Sequence, residues 1–266
     1  MCAAANVIKK ISAVSDVVGL TSVDDKLYVL LERDIDQVAV YSINNYQLLR
    51  HLNVPGLKTR KLNDITSCVR YKCLYMSEFD YKCVHRYELA SNATSKWPVC
   101  GSPRGLSLTP SGNLLVTCRS EPAKLVELRA NNGQCVREIE LQSNIMYPQH
   151  SVQLTTSQFL VSYRGDLHRV SAVGDDGKVT RSYGDKLGSD IGRLNWPRHL
   201  AVDKDSQFIF VADRGNHRVV LLSPMLEFVR YIIKGLPEAS RLYFHEATRR
   251  LFVVHGGRPN VTVIQL

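Results

Sequence analysis

The chain has 266 residues, 44% of them hydrophobic, and its 34 Lys and Arg against 25 Asp and Glu give a formal net charge of +9. The apolar content suffices for a full-sized core, and the lack of a long apolar run argues against a membrane-spanning helix. The N-terminus lacks the pattern of a secretory signal, and the odd number of cysteines, seven, does not suggest a disulfide framework. We therefore expect one cytoplasmic domain over residues 1–266, monomeric on its own and independent of membranes.

Six apolar triplets recur along the chain, each preceded by a run of alternating apolar and polar residues, which is typical of β-strands. In chain order the triplets are residues 27–29, 74–76, 114–116, 159–161, 209–211 and 251–253. Their mean spacing is about 45 residues, the length of a four-stranded propeller blade rather than of a helical repeat. The pattern predicts an all-β fold, a six-bladed β-propeller.

The two ends of the chain complement each other. The last copy of the repeat stops after three predicted strands, at residues 261–266, whereas an additional strand at residues 6–11 precedes the first copy. A closed ring leaves no unpaired inner edge, which protects a sheet protein from edge-to-edge association. We therefore predict that the N-terminal strand completes the last blade and closes the ring.

The clearest copy is WPRHLAVDKDSQFIFVADRGNHRVVLL at residues 196–222, and it resembles the NHL repeat. The residues that fall on the NHL consensus are Pro197, Ala201, Val202, Asp203, Val211, Ala212, Asp213, Asn216, Arg218 and Val219. The resemblance implies a six-bladed propeller similar to the NHL domains of tripartite-motif and Brat-like proteins, which bind RNA or protein. Other NHL propellers are zinc-dependent lyases, and related six-bladed lactonases use calcium. The resemblance implies that Asp213, Asn216 and Arg218 have structural roles.

The position after the proline that begins each copy should border the mouth of the central channel. It is occupied by Arg104, Gln149 and Arg198, which are not metal ligands. His150 and His199 form a pair one residue further on, without a third ligand. Three cysteines, at 68, 73 and 83, have the wrong spacing for a zinc knuckle, and nucleophile and phosphate-loop motifs are missing. We expect no metal, no cofactor and no catalytic activity.

Basic residues recur in the loop after the second strand of several copies, which should emerge on the same face as the channel mouth. The predicted ligand-binding set is Arg33, Phe79, Arg104, Arg119, Gln149, Tyr163, Arg164, Arg198, His199, Arg214 and Arg258. Arginine interleaved with aromatic rings is typical of surfaces that bind unpaired nucleotides. We expect single-stranded or hairpin RNA as the ligand.

Several alternatives stay open for this face. A protein or peptide segment could be the ligand instead, as in a substrate-recognition module of a ubiquitin-ligase-type protein. A metal-dependent lyase or lactonase is a more distant alternative. Some of the arginines could pair with nearby carboxylates such as Glu32, Glu78 and Asp166, and Trp196 could simply cover the edge of a neighbouring blade.

Overall fold

The computed structural model describes residues 6–13, 15–32, 38–57, 62–256 and 260–266. These residues form six antiparallel four-stranded sheets. Blade 1 contains β2 (Asp16–Val23), β3 (Lys26–Glu32), β4 (Val38–Ser42) and β5 (Leu48–Leu52). Blade 2 contains β6 (Leu62–Cys68), β7 (Cys73–Glu78), β8 (Cys83–Glu88) and β9 (Thr94–Pro98). Blade 3 contains β10 (Ser102–Leu108), β11 (Leu114–Arg119), β12 (Lys124–Leu128) and β13 (Cys135–Glu140).

Blade 4 contains β14 (Pro148–Thr155), β15 (Gln158–Tyr163), β16 (Arg169–Gly174) and β17 (Val179–Tyr183). Blade 5 contains β18 (Pro197–Val202), β19 (Ile209–Asp213), β20 (Arg218–Leu222) and β21 (Phe228–Lys234). Blade 6 contains β22 (Arg241–His245), β23 (Arg250–His255) and β24 (Asn260–Gln265), with β1 (Asn6–Ser12) as its outermost strand. Two short 3-10 helices follow β19 and β22, at Arg214–Asn216 and Glu246–Thr248. The described residues include no helix that is long and apolar enough to cross a membrane.

The N-terminal strand closes the ring, as predicted. β1 pairs antiparallel with β24 from Asn6 opposite Gln265 to Ser12 opposite Asn260. The first strand of each blade contacts the first strand of the next, and β22 contacts β2, so these six strands surround the central channel. The predicted all-β class and six-bladed architecture are confirmed.

The core consists of six apolar clusters, each between two adjacent blades. Phe210 of blade 5 and Phe244 of blade 6, for example, pack with their ring centroids 5.3 Å apart. Burial of one such large apolar side chain stabilises the fold by roughly 1.5–3 kcal/mol. Because the middle strands of a blade are covered on both faces, their sequences are continuously apolar, which is why the triplets stand out.

The NHL consensus residues of blade 5 hold the loop that enters this blade. Asp213 is fully buried and accepts hydrogen bonds from Arg218 at 2.7 Å and from Asn216 at 2.8 Å. Arg218 also donates to the backbone carbonyl of Arg193. The structural roles predicted for Asp213, Asn216 and Arg218 are therefore observed.

Candidate functional site

Four arginines line one cavity at the channel mouth. The cavity has a volume of about 220 Å³ and is lined by Arg104, Gln149, Arg164, Trp196, Pro197, Arg198 and Arg214. Arg104 and Arg198 belong to the innermost strands β10 and β18, whereas Arg164 and Arg214 directly follow β15 and β19. The fold thus brings together arginines from blades 3, 4 and 5. We call these four side chains the arginine mouth.

Positive charge in the arginine mouth is only partly compensated, since Arg214 alone of its four arginines has an ion pair with a carboxylate of the described residues, Glu238. Among the described residues, none that lines this cavity carries a carboxylate. Burial, together with the charges of Arg241, Arg119 and Arg164, lowers the pKa of Arg104 to about 10. Arg241 and burial hold the pKa of Arg198 well below its usual value. Guanidinium groups that depress each other's pKa favour an anion that would relieve the repulsion.

Aromatic rings accompany the arginines. Arg164 and Arg214 lie over the ring of Trp196 at 4.9 and 5.6 Å, and Arg119 lies over Tyr147 at 4.2 Å. Both rings are 42% exposed. Trp196 and Tyr147 each precede the proline that begins an innermost strand, and each has a positive φ, 54° and 50°. Such a conformation costs a non-glycine residue of the order of 1–3 kcal/mol and is often found where a side chain must be presented to a ligand.

The remaining predicted residues have different positions. Phe79 contributes through its ring, which lies 5.0 Å below the guanidinium of Arg104. Gln149 lines the cavity, but its amide nitrogen donates to the carbonyl of Tyr147 at 2.7 Å. Arg33 and Arg258 lie outside the described residues.

Tyr163 and His199 correct the predicted set. Tyr163 is the last residue of β15 and is only 1% exposed, because the strand runs one residue further than the triplet pattern indicates. Its hydroxyl contacts Ser171 at 3.0 Å. His199 is 8% exposed and its Nε2 lies 3.3 Å from Asp64. Neither side chain belongs to the ligand-facing surface.

A buried charged network lies beneath the arginine mouth. Asp64 of β6 accepts a hydrogen bond from the Leu106 amide at 2.9 Å and lies 3.7 Å from Nε of Arg241. Arg241 in turn donates to the Val18 carbonyl at 2.7 Å. Burial opposes ionisation of Asp64, but His199 and Arg241 together keep its pKa at about 2. The network joins side chains and backbone from all six blades across the channel.

This network is not arranged as a metal site, although Asp64, His150 and His199 lie close together. His150 uses Nε2 to contact the Leu106 carbonyl at 3.1 Å, and its Nδ1 accepts from the Leu200 amide at 3.4 Å. A metal would have to displace these bonds and approach the guanidinium of Arg241. Sequence reasoning missed Asp64 and Arg241 because each comes from a different blade, so no linear motif contains them.

A second cavity, lined by three carboxylates and three arginines, adjoins the arginine mouth. Its volume is about 110 Å³, its carboxylates are Asp16, Glu32 and Glu238, and it shares Arg198 and Arg214 with the first cavity. Glu238 pairs with Arg214 at 2.9 Å. The face is therefore basic over blades 3 to 5 and of mixed charge where blades 6 and 1 meet. The pair between Arg214 and Glu238 agrees with the expectation that some arginines pair with carboxylates.

This architecture is that of a six-bladed β-propeller with a charged channel mouth. A sequence profile described as the NHL repeat matches residues 194–220, which span β18, β19 and most of β20. Within this blade the chain is therefore similar to NHL-repeat propellers. A search of curated protein sequences returned no match.

Several solved structures share this fold at low sequence identity. A catalytically inactive virginiamycin B lyase from Staphylococcus aureus, solved with quinupristin, is 11% identical, with a TM-score of 0.70 over 97% of this chain and 98% of that one. The selenomethionine-substituted form of this lyase is 12% identical, with a TM-score of 0.68 over 97% and 88%. Hydrazine synthase from Kuenenia stuttgartiensis is also 12% identical, with a TM-score of 0.68 over 96% and 97%.

These similarities correct the prediction that the chain is not an enzyme. Lyases are built on the same ring over nearly its whole length, so the fold supports enzymatic as well as binding roles. The prediction relied on missing linear motifs, and it is wrong because a propeller can assemble a site from single residues of several blades. Fold similarity at this identity does not assign a reaction.

Proposed function

We propose that the arginine mouth binds a phosphate-bearing ligand and that this ligand is single-stranded RNA. The observation that carries the proposal is the convergence of Arg104, Arg164, Arg198 and Arg214 on one cavity whose described lining residues include no carboxylate. Guanidinium groups bind phosphate oxygens through paired N–H donors, and a phosphate would offset the mutual repulsion of the arginines. The net charge of +9 also favours a polyanion as the ligand.

The exposed rings favour a nucleic acid over a simple inorganic anion. Trp196 lines the cavity, and a guanidinium group lies over one face of the Trp196 ring and of the Tyr147 ring. Unpaired bases stack on such rings, with a contribution of about 1–3 kcal/mol for each base. A strand would place phosphates in the cavity and bases on the rings.

Fluorescence anisotropy with a labelled pool of random single-stranded RNA tests this proposal. Arg164→Gln and Arg214→Gln, both in the arginine mouth, should each weaken binding by about five- to tenfold, or about 1 kcal/mol or more, and should reduce the salt slope by about 0.7. Arg181→Gln is the matched control, because it removes the same charge from β17, the outermost strand of blade 4. Equal losses in control and mouth variants, or binding no tighter than that of a lysine-rich protein, would exclude the RNA proposal.

The carboxylates of the adjoining cavity of mixed charge favour a second candidate, an extended protein segment that carries both acidic and basic residues. These carboxylates would repel RNA phosphates but would pair with lysine or arginine side chains. Glu238→Gln separates the two candidates, because it removes one of these carboxylates and the partner of Arg214. RNA binding should become tighter in this variant, whereas binding of a synthetic peptide with an acidic and a basic half should become weaker.

A further inference from the structure

Blade 2 contains a buried cluster of chemically reactive side chains that the arginine mouth does not use. Glu78 ends β7, and Cys83 and His85 lie two residues apart on β8, so both project from the same face of that strand. Glu78 is fully buried, and Cys83 and His85 are each 1% exposed. Their ligand atoms all lie within 4.8 Å of one another.

Comparison with blade 5 shows what is unusual about this cluster. In blade 5 the second strand ends with the buried carboxylate of Asp213, and Arg218, directly opposite on the third strand, pairs with it at 2.7 Å. In blade 2 the carboxylate of Glu78 takes the equivalent place, and the residue directly opposite is Cys83. A buried carboxylate requires a cationic partner. The arginine that provides this partner in blade 5 is replaced by a thiol.

The neighbouring groups use only part of the hydrogen-bonding capacity of the cluster. His85 Nε2 lies 2.8 Å from Glu78 Oε2. The half-exposed Lys96 Nζ forms a long ion pair with the same oxygen at 3.9 Å, beyond hydrogen-bond distance. Glu78 Oε1 and His85 Nδ1 are buried and have no hydrogen-bond partner among the described residues.

The distances between the three atoms suit a tetrahedral ion. Cys83 Sγ lies 3.6 Å from His85 Nε2 and 3.5 Å from Glu78 Oε2. Zinc bonds of about 2.3 Å to sulfur and about 2.0 Å to nitrogen or oxygen, at tetrahedral angles, place sulfur about 3.5 Å from the other ligands. The nitrogen and oxygen atoms, now 2.8 Å apart, would separate to about 3.3 Å as the metal replaces their hydrogen bond.

We propose that Glu78, Cys83 and His85 bind a zinc ion inside blade 2. Thiolate, imidazole and carboxylate together suit Zn²⁺ rather than Mg²⁺ or Ca²⁺, which prefer oxygen ligands. On binding, the Cys83 thiol releases its proton to solvent, and the ion supplies the positive charge that Arg218 supplies in blade 5. Three protein ligands leave a fourth position for an exogenous ligand. The ion would also fix the β7–β8 turn, which begins with Phe79.

The proposal differs from the expectation that the chain holds no metal. That expectation considered only the channel mouth and the spacing of cysteines with one another. Cys68 and Cys73 lie opposite each other in the strand register at the far end of the β6–β7 hairpin, so they do not belong to the cluster. The relevant partners of Cys83 are a carboxylate and a histidine, which the comparison of blade 2 with blade 5 would have indicated.

Cobalt substitution of the full chain tests the proposal. Cys2, Cys100 and Cys135 are first replaced by serine, because two of them are exposed and one lies outside the described residues. We expect about one Co²⁺ per chain with a thiolate-to-cobalt charge-transfer band. Cys83→Ala should abolish the band, whereas Cys118→Ala, at another buried cysteine, should retain it. Glu78→Gln should weaken binding by at least about tenfold.

Zinc-edge X-ray absorption on the unsubstituted protein gives an answer that does not depend on variant folding. The proposal predicts a first shell with one sulfur ligand at about 2.3 Å and nitrogen or oxygen ligands at about 2.0 Å. A zinc shell without sulfur, a preparation that takes up no stoichiometric metal, or a cobalt band that survives Cys83→Ala would each overturn it.

Discussion

Acidification should destabilise the propeller through His150, starting well above the range in which carboxylates titrate. His150 is 2% exposed, and its ring stacks on His199 with the centroids 3.7 Å apart. Both ring nitrogens contact backbone groups of other blades, at Leu106 and Leu200. Protonation would place a charge in a buried site and remove the acceptor of the Leu200 amide. Burial and the neighbouring His199 accordingly lower the pKa of His150 to about 3.

The size of the effect follows from proton linkage. Below the unfolded-state pKa of about 6.5, the unfolded chain binds a proton at residue 150 and the folded chain does not, so stability falls as the pH falls. At pH 5.0 this difference amounts to about 2 kcal/mol for one histidine. The result requires only that the folded-state pKa lies below 5. His199, whose pKa burial also lowers, should add a loss in the same direction.

Urea unfolding of the wild type and of His150→Gln at pH 7.5 and 5.0 measures this contribution. The glutamine variant should be less stable at pH 7.5, but its stability should fall by about 2 kcal/mol less than that of the wild type on acidification. His217→Gln, at an exposed histidine, controls for the loss of an imidazole. If His150→Gln and the wild type lose the same stability between the two pH values, the buried neutral state of His150 is refuted.

Two further predictions concern ring closure and the channel wall. Deletion of residues 1–12 removes β1 and leaves β24 as an unpaired edge strand. We therefore expect a lower melting temperature and concentration-dependent aggregation in light scattering. A melting temperature equal to that of a variant lacking only residues 1–5 would contradict this prediction. Gly105→Ala would place a Cβ 2.6 Å from the His150 ring and 2.8 Å from the Gln149 carbonyl oxygen. We expect the free energy of unfolding, measured with urea, to fall by about 3 kcal/mol, because the backbone of β14 cannot easily move away from the new methyl group. A decrease below about 1 kcal/mol would show that the channel wall can shift to accommodate the methyl group.

The blade architecture could be predicted because it depends on local pattern. Each apolar triplet lies in a strand that is covered on both faces by neighbouring blades. The last copy of the repeat lacks a fourth strand, which indicates that the N-terminal strand takes its place. Loop positions counted from the triplets are less secure, because strand ends vary by a residue. Tyr163 was placed on the loop face for this reason, whereas Arg164, one residue later, does line the cavity.

The channel network could not be predicted in the same way. Asp64 is a polar residue within an ordinary strand, and its structural role depends on partners that are more than 40 residues away in sequence and belong to four other blades. Comparison of equivalent positions between blades carries more information. It would have paired Glu78 with Cys83, because Asp213 and Arg218 occupy the corresponding positions of the blade that matches the NHL consensus.

The charge balance along the channel supports the proposal that the arginine mouth binds an anion. Asp64 is a buried carboxylate beneath the mouth, and it is already bonded to Leu106 and His199 and adjacent to Arg241. From the adjoining cavity, Glu238 pairs with Arg214. The repulsion among Arg104, Arg198 and Arg241 is therefore fixed by the ring, which holds their strands in place. An anion that enters the cavity gains from the relief of this repulsion as well as from its direct contacts, since binding would raise the depressed arginine pKa values.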